Sequence, residues 1–412
     1  MADIRPFRAL RPRAEFAGEV ACPPYDVLNS DEARVLADGN THSFLHVIKP
    51  EIDLPADVDP HDDRVYAQGV RNLRRLVTEG VLVREADPCF YIYQQRMGDH
   101  VQTGLVGAAS CAEYEDGRIK RHEYTRKDKE DDRTRHVAEQ NANAEPVFFA
   151  YLKQPAIDAL VSQVCAGAPL YDIVTEDGIG HTVWTVPAQD TERVRDLFAR
   201  VPALYVADGH HRTASAARVG LERRAANPHH RGDEPYNYFM AVVFPHDQLK
   251  IMDYNRLVKD LNGHTPASLL AALAEKFIVT PDAPARPEHA TQFGMFLGGR
   301  WYRIEARPGT IPAGDPVRSL DVAILQDNLL APILGIADPR TDARIDFVGG
   351  IRGLGELERR VHAGWAVAFA LHPTSLEQLM AVADSGQVMP PKSTWFEPKL
   401  RSGLLVRTLD IW

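Results

Sequence analysis

The run Tyr205-Val206-Ala207-Asp208-Gly209-His210-His211-Arg212-Thr213-Ala214-Ser215-Ala216 constrains the fold more than any other stretch of the chain. A short apolar strand meets an Ala-rich helix, and the corner between them is a single glycine. Gly209 takes a positive φ that other residues resist, so a sharp strand-to-helix turn is expected there. Residues after such a turn sit at a helix start, where open N–H groups and the helix dipole attract anions. One acid, two imidazoles and a guanidinium gather at this corner. It suits a phosphate, a carboxylate or a metal. Read singly, each residue is better explained as part of a solvated turn with Asp208 as the helix cap. Packed together between two apolar elements, they favour function.

The chain has 412 residues, too many for one ordinary core, so two or three domains are expected. Composition shifts near Asn262-Gly263-His264, which suggests regions 1–262 and 263–412. The net charge of −10 argues against a nucleic-acid surface. The start, Met1-Ala2-Asp3-Ile4-Arg5-Pro6, does not resemble a signal peptide, and no run nears the roughly eighteen apolar residues of a membrane span. Cys22, Cys89, Cys111 and Cys165 are widely spaced, which argues against a disulfide framework or a structural zinc site. A cytoplasmic protein without a membrane partner is the expectation.

Periodicity predicts a helix over 62–80, with Val65, Val70, Leu73, Leu76 and Val77 on one face. Strands are expected over 89–96, 103–114 and 117–125, with Asp116-Gly117 as a turn between the last two. In the last of these, His122 and Tyr124 would share one face and Arg121 and Glu123 the other. A charged helix follows over 127–143, then a buried strand over 145–152, a helix, two short strands, a helix over 190–200 and the strand ending at Asp208. A strand over 236–244, an Ala/Leu helix and strands over 292–297 and 300–305 come next. The alternation indicates an α/β fold, with α+β as the other choice.

Three further clusters carry chemistry. Pro23-Pro24-Tyr25-Asp26 is a stiff bend that fixes Asp26. Arg121-His122-Glu123 precedes the carboxylate-rich stretch 128–132, most of which reads as a solvated helix face. The segment from Met389 to Gly403, Met389-Pro390-Pro391-Lys392-Ser393-Thr394-Trp395-Phe396 followed by a second lysine at Lys399, offers ammonium groups and hydroxyls for phosphate and aromatics for stacking. It is not a P-loop, because no Gly-rich run precedes Lys392-Ser393. His229-His230 reads as a solvated loop, and the glycines from Gly349 to Gly353 resemble a phosphate loop only loosely.

Taken in order, Pro23-Pro24-Tyr25-Asp26-Val27, Arg121-His122-Glu123, Ala207-Asp208-Gly209-His210-His211-Arg212 and Met389-Pro390-Pro391-Lys392-Ser393-Thr394 resemble the bacterial and archaeal family DUF1015 over nearly the whole chain. The resemblance implies a ParB/sulfiredoxin-like core with additional mixed α/β regions. In that group the turn cradles nucleotide phosphates, and free-serine kinases are among its members. Carried onto this chain, it implies nucleotide phosphates at Gly209, His210, His211 and Arg212, with Asp208 nearby for Mg²⁺ or orientation. Lys392, Ser393 and Thr394 are further phosphate-binding candidates.

Chemistry, rather than the resemblance, nominates Glu123 and Asp26 as candidates for metal binding or general base, and His210 or His211 as a donor to developing charge. In one respect the chain departs from the pattern: a Thr-His-Arg expected after the strand near 249–252 is Tyr254-Asn255-Arg256 here. The expected activity is a phosphotransferase using Mg²⁺ and ATP or ADP on a small hydroxylated metabolite, serine or phosphoserine first. A metal-dependent phosphatase or hydrolase and a non-catalytic nucleotide-binding protein are the alternatives.

Overall fold

Two apolar strands, Tyr91–Met97 and His100–Ser110, form a hairpin in which Met97 pairs with His100 around Gly98-Asp99. Gly98 supplies the positive φ of 58° that so tight a turn requires. The computed structural model describes residues 2–410, and this hairpin lies within the nine-stranded mixed sheet of its first compact unit. The order across the sheet is Ile119–Lys120, Leu204–Asp208, Val147–Tyr151, Tyr238–Pro245, His100–Ser110, Tyr91–Met97, Gly180–Thr185, Tyr171–Val174, with Ile4–Arg5 against the end of His100–Ser110. Two pairings are parallel, Leu204–Asp208 with Ile119–Lys120 and Tyr238–Pro245 with Val147–Tyr151. The strands Val147–Tyr151 and Tyr238–Pro245 are buried along their whole length, and Val206 of the neighbouring strand is buried with them. Strands buried on both faces read as unbroken apolar runs, as these do.

The first unit comprises Met1–Leu249 and Pro398–Trp412. The returning strand Val406–Thr408 lies between Ala9–Pro12 and Ala142–Asn143 in a four-stranded sheet that Leu82–Arg84 completes. Ser402 and Cys22 exchange backbone hydrogen bonds of 2.9 and 3.2 Å nearby. The second unit is Lys250–Glu397, built on a six-stranded antiparallel sheet with Val367–Leu371 and Gln292–Leu297 near its middle. The composition shift at Asn262 falls inside this unit, just beyond its strand Tyr254–Val258.

The α/β class read from the sequence is the class observed. The helix Asp63–Thr78 starts at an Asp62 cap and buries Val65, Leu73 and Leu76. Two expectations need correction. The strand expected to reach Tyr114 stops at Ser110, its last partnered residue, and Cys111–Glu115 winds into a helical turn. The strand expected over 117–125 is only Ile119–Lys120. Residues 121–126 form a bend, so His122 is buried while Tyr124 is 71% exposed, and the two do not share a face.

Candidate functional site

Gly209 has φ 83° and ψ 36° and opens the helix His210–Ala226. No side chain caps this helix. The Asp208 carboxylate turns back to accept the Gly209 N–H at 2.7 Å, so the cap expected of a solvated turn is absent. The other Asp208 oxygen accepts the Lys399 ammonium at 2.8 Å. Burial works against the Asp208 charge, yet Lys399 and Arg212 together hold its carboxyl far below the usual range. Lys399 is positioned through its carbonyl, which accepts Gln95 Nε2 at 2.8 Å.

Beneath the turn, Arg212 is buried, with its guanidinium donating to the Pro146 carbonyl at 2.9 Å and meeting Asp26 at 3.5 Å. Arg212 Nε has no hydrogen-bond partner. A Cβ at position 209 would come within 3.1 Å of that nitrogen, so a larger residue would press on the guanidinium as well as strain the left-handed backbone. Glu145 accepts the Tyr25 N–H at 3.0 Å and the Ser402 hydroxyl at 3.3 Å. Burial pushes its carboxyl up, against the pull of Arg212 and Arg133. Arg133 lies 4.1 Å from the centre of the Tyr25 ring. The Pro-Pro-Tyr-Asp bend thus forms one wall of a buried charge network under the helix start.

The imidazoles separate by role. His211 Nε2 accepts the Arg126 N–H at 3.1 Å, tying the turn to the entry of the helix Lys127–Gln140. His210 is buried edge-to-face against His122, with ring centroids 4.4 Å apart and planes at 90°. His210 Nδ1 lies 3.8 Å from Glu123 Oε2. His210 Nε2 and both ring nitrogens of His122 make no hydrogen bond of good geometry. Burial pushes His122 down to about 4, and burial with the neighbouring His122 pushes His210 well below its ordinary value. Both rings are therefore neutral at pH 7, with lone pairs available. Glu123 is half exposed beside them.

A divalent ion at Asp208, as the resemblance implied, fits poorly. Both carboxylate oxygens are engaged, and one of them faces an ammonium that would repel a cation.

Lys392, Ser393 and Thr394 belong to the second unit, the turn to the first. The Ser393 hydroxyl donates to the Pro390 carbonyl at 2.6 Å, and the Ser393 carbonyl accepts the Thr374 hydroxyl at 2.9 Å. Lys392 is exposed, with its carbonyl accepting Arg256 at 2.9 Å and its ammonium 5.7 Å from the Tyr254 ring centre. Asn255, the departure from the family pattern, is fully buried, donating to Asp253 at 2.5 Å and accepting the Leu371 N–H at 3.0 Å. Gly349 packs under the Trp395 indole and Gly350 against Asp253, which is close packing rather than a phosphate loop.

A family model described as a protein of unknown function, DUF1015, matches residues 4–323. The chain belongs to this family. No curated protein matches the sequence. Among solved structures, a free serine kinase in complex with AMP is similar at 14% identity and TM-score 0.35, over 70% of this chain and 89% of its own. A C-terminally truncated SbnI from Staphylococcus aureus is similar at 11% identity and TM-score 0.40, over 74% and 87%. A conserved hypothetical protein from Pyrococcus furiosus is similar at 12% identity and TM-score 0.35, over 72% and 94%. Likenesses this distant carry no assignment, which must come from the chain's own residues.

The sequence singles out the turn and offers Lys399 as a phosphate-holding lysine, but gives no role to His122 or Glu145. His122 has a signal, a histidine beside a glutamate just before a charged helix. Glu145 has none, since it acts through partners distant in the chain.

Proposed function

We propose that the Asp208–Arg212 turn binds the phosphates of a nucleotide, and that the protein is a phosphotransferase acting on a small hydroxylated metabolite. The observation that carries this reading is the uncapped start of the helix His210–Ala226, opened by left-handed Gly209 beside the Lys399–Asp208 pair. Open N–H groups and a positive dipole end suit phosphate oxygens, and Lys399 adds a point charge. Arg212 supports the turn from below.

In the reaction, the bond from the terminal phosphorus to its bridging oxygen breaks, and a new P–O bond forms to the metabolite hydroxyl. The hydroxyl proton passes to Asp26, which is exposed and held by Arg212. Such chemistry asks the protein chiefly for positioning and charge stabilisation. Serine is the first acceptor to test, because the family resemblance points to it.

The experiment is a thermal-shift screen against ATP, ADP and pyrophosphate, followed by ³¹P NMR with serine. A rise of several degrees with one nucleotide, largely lost in Lys399→Met, is expected. No rise from any phosphate compound overturns the reading.

A further inference from the structure

Three residues at the turn present a donor set of metal-binding type. One ligand atom from each of His122, Glu123 and His210 lies within 4.8 Å of the others. His210 Nε2 and the ring nitrogens of His122 are buried without a hydrogen bond of good geometry, His122 having only the Val206 backbone in reach. A buried polar group left unmade costs about 1–3 kcal/mol, and an ion would take one nitrogen from each ring.

The bend over 121–126 makes the set feasible. In a strand, His122 and Glu123 would point to opposite faces; in the bend, both reach His210. Glu123 closes the set from the solvent side, its side chain half exposed and its Oε2 3.8 Å from His210 Nδ1. The exposed carboxylate also marks the route by which an ion enters.

We propose that His122, Glu123 and His210 form a binding site for a first-row divalent ion of the zinc type, with at least one coordination position left open. Two imidazoles and one carboxylate favour such ions over Mg²⁺, which prefers oxygen donors alone. The site adjoins the helix start through His210. Metal binding stands apart from the phosphotransferase reading and is measured without nucleotide.

The test uses the full chain, stripped with chelator and titrated with Co²⁺ as the probe. One equivalent of Co²⁺ with visible d–d absorption is expected, displaced by Zn²⁺ and retained in about thousand-fold excess Mg²⁺. Glu123→Ala alters an exposed side chain and keeps the fold, checked by circular dichroism. It weakens Co²⁺ binding by about ten-fold or more, and His210→Asn does so as well. Absence of stoichiometric Co²⁺, displacement by Mg²⁺, or unchanged affinity in Glu123→Ala overturns the proposal. A positive metal result with no nucleotide shift leaves the site standing and the phosphotransferase reading fallen.

Discussion

Two segments look alike in sequence, each a tight bend carrying cations and hydroxyl or imidazole groups: Asp208–Arg212 in the first unit and Pro390–Thr394 in the second. Their surroundings differ. Around Pro390–Thr394 the Ser393 hydroxyl is spent on Pro390, the Ser393 carbonyl on Thr374 and the Lys392 carbonyl on Arg256, while the Lys392 side chain is exposed. Around Asp208–Arg212 the helix start is uncapped, three ring nitrogens and Arg212 Nε lack partners, and Arg133, Glu145, Asp208 and Arg212 form a crowded charge network. A fold gains little from buried charges that hydrophobic packing could replace. Groups left unmade point to a ligand, and satisfied groups point to structure. Composition cannot separate the two cases.

The sharpest way to break this contrast is Arg212→Ala. The sequence alone suggests a phosphate-binding arginine whose loss would spare the fold. In the structure Arg212 compensates Asp26, Glu145 and Asp208, and removing one partner of a buried ionic group typically costs about 3–5 kcal/mol. A urea titration should show that loss. Unaltered stability would return Arg212 to a purely ligand-facing role.

The second prediction sets the two units against each other in acid. In the first unit His181 is fully buried between Tyr93 and Arg401. Burial, helped by Arg401 and opposed by Asp177, pushes it down from 6.5 to about 3. The unfolded chain therefore takes up a proton that the folded one refuses. This stability is complete above pH 6.5 and falls as pH drops toward 3, by about 1.4 kcal/mol per unit.

In the second unit burial raises Asp321 from 3.8 to about 7, against the Thr291 N–H that it accepts at 2.8 Å. Its folded form keeps a proton that the unfolded form loses. That contribution is complete below pH 3.8 and disappears as pH rises toward 7. Hydrogen exchange between pH 6.5 and 5, corrected for intrinsic rates, should show Gly180–Thr185 losing protection while Gln292–Leu297 gains it. His181→Gln should flatten the first trend.

The smallest effect is expected from Ser393→Ala, which removes one hydroxyl bond to Pro390 and costs about 1 kcal/mol. Nucleotide-induced thermal shifts should be unchanged. A lost shift would make Pro390–Thr394 a second phosphate-binding segment and end the contrast.

The strand–glycine–helix corner is legible in the residues alone, because a residue without Cβ turns at φ 83° above the Arg212 guanidinium with least strain. The sequence also determined the α/β alternation, the helix Asp63–Thr78 and the apolar central strands, since local periodicity and turn residues encode these directly. Tertiary structure decided what the corner's residues do. It placed Lys399 on Asp208, Glu145 at the Tyr25 N–H and His122 against His210, each pair joined across a long stretch of chain. It also ended the strand at Lys120, because pairing with Leu204–Asp208 runs out there, and the resulting bend brings Glu123 to the histidines. Burial and charge pairing are sums over neighbours distant in sequence, so no local pattern carries them.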